Sequence, residues 1–368
     1  MKVSKIPGLG RFGLFIDDVD LANISDDEWI EIGKLHLSSL VTIVRNTNLT
    51  PERYKELISM WGSPRSLSSY RIRKKYKQTF PELLEKVNKG DTADLDSEDI
   101  KWLEETMRIT VKDQNNQVTY MAKITGKKNE KGEAEGMFND GELLWHSNEA
   151  GNLTFTPGVS LLAIEGVTKS ATGFVTTTDW YERQSSAFRS ELDEMVCLHK
   201  FVPGKINPGL SQDQDFYVYK NMCPVDDTPI PLVIQSPGGI RGLHYSVNTI
   251  SQIRGMSIDE SQKFFKRIDK ELFTDEFIYD HWYKQNGDLC LFDNSITLHR
   301  RLGETLGRMC YRIQFDYSHL QDNSYVPYSQ PEFARPYAQQ VRDIAKHLSL
   351  SDFKLPPRHW SDFIPKLI

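Results

Sequence analysis

GDLCLFDNSITLHRR (287–301) and, six residues further on, RMCYRIQFDY (308–317) are the stretches from which the fold can be read. The first holds a short apolar run, Leu289 to Phe292, bounded by Gly287 on one side and by the turn-forming Asp293, Asn294 and Ser295 on the other. The second alternates. Met309, Tyr311, Ile313, Phe315 and Tyr317 share one face of an extended chain, while Arg308, Cys310, Arg312 and Gln314 share the other. Working outward, the same texture recurs in LLWH (143–146), VSLLAIEGV (159–167), TGFVTTT (172–178), FYVY (216–219), PLVIQ (231–235) and GLHYSVN (242–248). Short strands separated by turn signals predict an antiparallel sandwich or jelly roll.

Helices flank these strands. Ser25 and Glu28 form a capping box, in which hydroxyl and carboxylate satisfy orphan amides, and Ser257 with Glu260 repeats the device. Thr50-Pro51 starts another helix with Tyr54, Leu57, Ile58 and Trp61 on one stripe. FPELLEKV (80–87) and EDIKWLEETM (98–107) read as two amphipathic helices after a basic run, RIRKKYK (71–77). The expected fold class is therefore α+β: a jelly-roll core with flanking helices and a helical insertion at about 66–135. Residues 1–320 are expected to form one domain, with 321–368 as a Pro-rich C-terminal extension packed on it.

Composition narrows the function. The chain has 368 residues and a net charge of −6, from 45 Lys+Arg against 51 Asp+Glu, so bulk charge offers nothing to nucleic acid or an anionic membrane. No apolar run approaches the roughly 20 residues that span a bilayer. Cys197, Cys223, Cys290 and Cys310 have no CxxC spacing and the first residues lack an apolar signal core, so a cytoplasmic location is expected and the sequons at Asn23, Asn48 and Asn152 are given no weight. A literal GxGxxG at Gly8, Gly10 and Gly13 precedes a strand-like run instead of following one, which favours a glycine turn over a dinucleotide site.

His146 ends one strand and His299 lies where another yields to a turn; two such histidines, with a nearby carboxylate, are compatible with the facial triad that holds non-haem iron. Seven further histidines show no HExxH or HxH spacing. Arg308 and Arg312 share a face about 13 Å apart at roughly 3.3 Å per residue, so they should serve different anions or different ends of one.

Taken together, GRFGLFIDDVDL, LVTIVRNTNLTPERY, GELLWHSN, SATGF, WYERQS, PLVIQSPGGIRGLHY, GMSIDES, GDLCLFDNSITLHRR and RMCYR make the chain resemble the taurine-dioxygenase-like (TauD/TfdA) family from about residue 8 to 317. The resemblance implies a double-stranded β-helix and a dioxygenase using Fe(II), 2-oxoglutarate and molecular oxygen. It releases succinate and carbon dioxide while hydroxylating a small anionic or zwitterionic substrate. His146 and His299 match the metal histidines, Thr172 the threonine bonded to 2-oxoglutarate, and Arg308 the arginine that grips its distal carboxylate. Arg312 matches a second arginine that meets the near end of the cosubstrate or an anionic substrate group.

Two features depart from the pattern. His299 and Arg308 stand two positions closer than is usual, and position 148, where the family has Asp, is Asn148. An amide offers a metal only a neutral oxygen; Glu149 ranks second as ligand, because neighbours on a strand point oppositely. Three readings follow: a working oxygenase with Asn148 as third ligand, an altered oxidant such as a halogenase, and a metal or 2-oxoglutarate binder without turnover. Assembly into a homo-oligomer stays open.

Overall fold

Met309–Phe315 is the strand that its alternation predicts, and it runs through the middle of the largest sheet. It pairs antiparallel with Gly158–Glu165 on one side and with Val118–Thr125 on the other. The computed structural model describes residues 1–65, 80–115, 118–138, 142–150, 156–200 and 228–322. Beyond Gly158–Glu165 the sheet continues through Leu289–Asp293, Val41–Val44, Leu14–Asp17 and Lys2–Lys5. A second, four-stranded sheet has the order Ile278–Trp282, Ser170–Thr176, Thr297–Gly303, Leu143–His146.

The two sheets face each other. Phe174 of the smaller sheet lies 5.3 Å, ring to ring, from Phe292 of the larger, and both belong to one buried cluster with Leu161, Ala163, Cys290 and Cys310. The larger sheet's outer face is covered as well. Helices α1 (Asp26–Ser39) and α2 (Pro51–Trp61) set Trp29, Ile32, Tyr54, Leu57 and Trp61 against Leu289, Leu291, Ile313 and Phe315. Because both faces are buried, the strand Leu289–Asp293 is a continuous apolar run ending in Asp, with even residues facing the other sheet and odd residues facing the helices. The helices lock through their indoles, stacked 4.4 Å apart, with Trp29 Nε1 donating to the Leu57 carbonyl and Trp61 Nε1 to that of Trp29.

Local signals account for the helix starts. Both capping boxes are formed, at Ser25 with Glu28 and at Ser257 with Glu260, and Thr50 caps α2 ahead of Pro51. Gly8, Gly10 and Gly13 have φ of +87°, +58° and +87°, and they form a turn before the strand Leu14–Asp17. A Cβ at Gly10 would stand 1.9 Å from Asp179 Oδ2, the oxygen that accepts the Arg11 N–H. The motif is structural here.

The stretch expected as a helical insertion carries the two expected helices and adds strands to them. Helices Phe80–Asn88 and Ser97–Ile109 form, but Thr110–Lys112 and Val118–Thr125 are strands of the large sheet. Leu83, Trp102, Leu103 and Ile109 sit in the cluster between the sheets. The physical reason is pairing: Met309–Arg312 would otherwise present an open edge, and Ala122–Thr125 closes it. Residues FYVY (216–219) and the extension from 323 onward lie outside the described residues. Cys197, Cys290 and Cys310 are buried free thiols, and no described helix is long and apolar enough to cross a membrane.

Candidate active site

Leu143–His146 runs antiparallel to Thr297–Gly303, with His146 directly opposite His299. Directly opposed residues project to the same side of a sheet. Their rings accordingly approach to 4.1 Å between centroids at an angle of 45°. A register slip of one residue would send one ring to the other face.

The protonation of the pair follows from its surroundings. His146 Nδ1 lies 2.6 Å from the Leu144 carbonyl oxygen, an acceptor, so Nδ1 carries the hydrogen and Nε2 keeps its lone pair. Burial holds the His146 imidazole down to about 4, with the positive charges of Arg312 and Arg301 pushing the same way. His299 is lowered as well, by burial first and then by His146 and Arg312. Both rings are neutral at physiological pH, as metal ligation demands.

Asn148 follows His146 in a turn held from afar. Asn294 Oδ1 accepts the Asn148 N–H at 2.8 Å, while Asn294 Nδ2 donates to the carbonyls of Asn148 and Thr156, each at 2.9 Å. The Asn148 side chain is buried, and its Nδ2 has no hydrogen-bond partner. Glu149 is half-buried, with φ of +59°.

His146, His299 and Asn148 line one cavity of about 40 Å³, together with Thr172, Arg301, Arg308 and Arg312; Glu149 is not among its walls. That volume holds a few waters. Arg308 is 2% exposed, and its Nη2 donates to Thr172 Oγ1 at 3.3 Å. Thr172 also meets the Tyr283 hydroxyl at 2.8 Å, and the Arg308 guanidinium lies 5.7 Å from the Tyr283 ring centre. Arg308 Nε and Nη1 are buried without a partner. A buried guanidinium with two unanswered nitrogens is costly unless an anion completes it.

Arg312 is buried at 7% exposure, with Nη2 3.4 Å from Met137 Sδ, and Arg301 donates to the Phe138 carbonyl. Arg300 also borders the cavity, but its guanidinium pairs bidentately with Asp280 and stacks 4.4 Å over Trp145. Gly173 makes room for that pair, since a Cβ there would stand 2.2 Å from Asp280 Oδ1.

All six residues singled out from the sequence meet at this cavity. Three others escaped the sequence reading: Arg301, Tyr283 and Asn294. Arg301 carried a signal, two positions after His299 and so on the same strand face. Tyr283 and Asn294 carried none, because their partners lie 111 and 146 residues away.

The donors suit the groups that such a site would bind. The free edges of Arg308 beside the Thr172 hydroxyl fit a carboxylate. For a divalent metal there are two neutral imidazoles and an amide oxygen, and among the described residues no group of three or more His, Cys, Asp or Glu could hold an ion.

Residues 5–314 match the family model described as taurine catabolism dioxygenase TauD, TfdA family. Among solved structures, AAD-2 in complex with Mn(II) and N-oxalylglycine is similar with a TM-score of 0.60 at 18% identity, covering 86% of this chain and 98% of its own. A taurine dioxygenase from Burkholderia xenovorans gives a TM-score of 0.56 at 18% identity, covering 85% and 89%. At such identities the likeness speaks for the fold. Among curated proteins none matches the chain.

Proposed function

Since the chain belongs to the TauD/TfdA family of dioxygenases, whose enzymes use Fe(II) and 2-oxoglutarate, we propose that His146, His299 and Asn148 hold the iron and that Arg308 with Thr172 holds 2-oxoglutarate. The observation that carries this reading is the meeting of two neutral imidazoles, 4.1 Å apart, with a buried, partly unanswered guanidinium around one small cavity. When bound, iron and 2-oxoglutarate supply the activation of molecular oxygen, with succinate and carbon dioxide as coproducts of substrate oxidation.

The chain's own residues prepare that chemistry. Arg308, fixed by the Thr172 hydroxyl and the Tyr283 ring, offers its free edge to the distal carboxylate, and the rigid fork sets the cosubstrate's direction. The Leu144 carbonyl orients the His146 ring and holds its proton on Nδ1. Phe292, 4.7 Å from the His299 ring, and Phe174 behind it make an apolar wall that excludes water. Arg301 and Arg312, whose guanidiniums border the cavity, favour a small anionic or zwitterionic substrate, or the near end of the cosubstrate.

Anaerobic addition of Fe(II) and 2-oxoglutarate should produce the weak visible charge-transfer band of a chelated cosubstrate, and oxygen should then release succinate. A band without succinate would assign a binding role. A chlorinated product in high chloride would assign halogenation. No band in the wild-type protein would overturn the site.

A further inference from the structure

We propose that Tyr283 is a positioning residue for the cosubstrate: its hydroxyl donates to Thr172 Oγ1 and thereby turns the Thr172 hydroxyl hydrogen into the cavity, toward the distal carboxylate of 2-oxoglutarate. This rests on the function proposed above. Tyr283 directly follows the strand Ile278–Trp282, and its backbone N–H donates to the carbonyl of Ser170, on the strand that carries Thr172. The phenol is thereby held against Thr172 while standing outside the cavity wall, which Thr172 itself lines. Tyr283 is 2% exposed, and its hydroxyl lies 2.8 Å from Thr172 Oγ1 and 3.7 Å from Cys290 Sγ.

A hydroxyl has one hydrogen and two acceptor lone pairs. Arg308 Nη2, which can only donate, takes one lone pair of Thr172 Oγ1. The contact with Tyr283 can then run either way. If Thr172 donated, the phenol hydrogen would be left with the Cys290 sulfur, a weak acceptor at 3.7 Å, and Thr172 would have no hydrogen for a ligand. If Tyr283 donates, its hydrogen meets the better acceptor. Burial pushes both the Tyr283 phenol and the Cys290 thiol above their ordinary values, so both keep their hydrogens and the thiol can donate to the phenol oxygen from behind. The hydrogens then run one way, from Cys290 through Tyr283 to Thr172, each bond polarising the next. The last faces the cavity beside Arg308, whose Nε and Nη1 have no hydrogen-bond partner. Together these donors select a carboxylate.

Calorimetry on the full chain loaded with Mn(II), without oxygen, compares 2-oxoglutarate with 2-oxobutyrate, which keeps the 2-oxo acid end and lacks the distal carboxylate. Tyr283→Phe should weaken 2-oxoglutarate binding about 3- to 5-fold, within the range for one hydrogen bond, and leave 2-oxobutyrate unchanged. In Thr172→Val, adding Tyr283→Phe should cost nothing further, because the phenol acts only through Thr172. Unchanged 2-oxoglutarate affinity in Tyr283→Phe, equal losses for both ligands, or a further loss in the double variant overturns the inference and leaves the proposed site standing. Should Tyr283→Phe fold poorly, neutron diffraction from deuterated wild-type crystals decides: the Tyr283 deuteron should lie toward Thr172 Oγ1, and a deuteron on the Cys290 side overturns the inference. Wild-type protein that binds 2-oxoglutarate no better than 2-oxobutyrate overturns both.

Discussion

Arg308 and Thr172 come from the two facing sheets and meet through a 3.3 Å hydrogen bond from Nη2 to Oγ1, so the cavity is bridged before any cosubstrate enters. The bridge uses one edge of the guanidinium and leaves Nε and Nη1 for something else. Replacing Arg308 by Ala should therefore weaken 2-oxoglutarate binding by about 2–5 kcal/mol, the usual cost of truncating one partner of a buried charge pair. Thermal stability without ligand should change far less, since an unanswered buried charge is removed. Calorimetry and melting curves on the same preparations check this; unchanged 2-oxoglutarate affinity would remove Arg308 from the site.

Thr172→Val keeps the shape and deletes the hydroxyl shared by Arg308 and Tyr283. Loss of one positioning hydrogen bond should cost about 1 kcal/mol, or roughly fivefold in 2-oxoglutarate affinity, with metal affinity measured alone unchanged. A larger loss in metal binding than in 2-oxoglutarate binding would contradict the placement.

Asp293 introduces a pH dependence of stability. Its carboxyl is buried and is pushed up to about 7 by desolvation, opposed by the N–H groups of Ile296 and Ser295. In the unfolded chain it returns to its ordinary value of 3.8. The folded state thus binds the proton more tightly. The stabilisation is complete below about pH 4 and is lost progressively as pH rises to about 7, on the order of 4 kcal/mol in all. Asp293→Asn, which keeps an oxygen for both amides, should remove this slope. Denaturant unfolding of both proteins at pH 4.5 to 8 measures it; parallel profiles would exclude the titration of Asp293.

Gly10→Ala combines a left-handed backbone, φ +58°, with a Cβ placed 1.9 Å from Asp179 Oδ2. Displacing that carboxylate also breaks its bond to the Arg11 N–H. A loss of about 1–3 kcal/mol is expected, seen as a lower melting temperature, with 2-oxoglutarate affinity retained. A neutral outcome would mean that the turn yields freely.

Much of this architecture was legible because its causes are local. The capping boxes at Ser25 and Ser257 and the alternation of RMCYRIQFDY each lie within ten residues, and each appears as expected. What stayed hidden is long-range. Val118–Thr125 follows two amphipathic helices, and the edge partner that makes it a strand, Met309–Arg312, lies nearly two hundred positions on. Asn294 offered no sign that it would clamp the turn carrying Asn148.

The amino-acid sequence alone determined which donors exist. It placed imidazoles at 146 and 299, put guanidiniums on one face of a strand at 308 and 312, and set an amide at 148, and no folding event can change those residue types. Only the tertiary structure decided that the two arginines are buried instead of solvated. A strand's alternation states which residues share a face; whether that face meets water depends on the second sheet laid over it, and here that sheet carries both histidines.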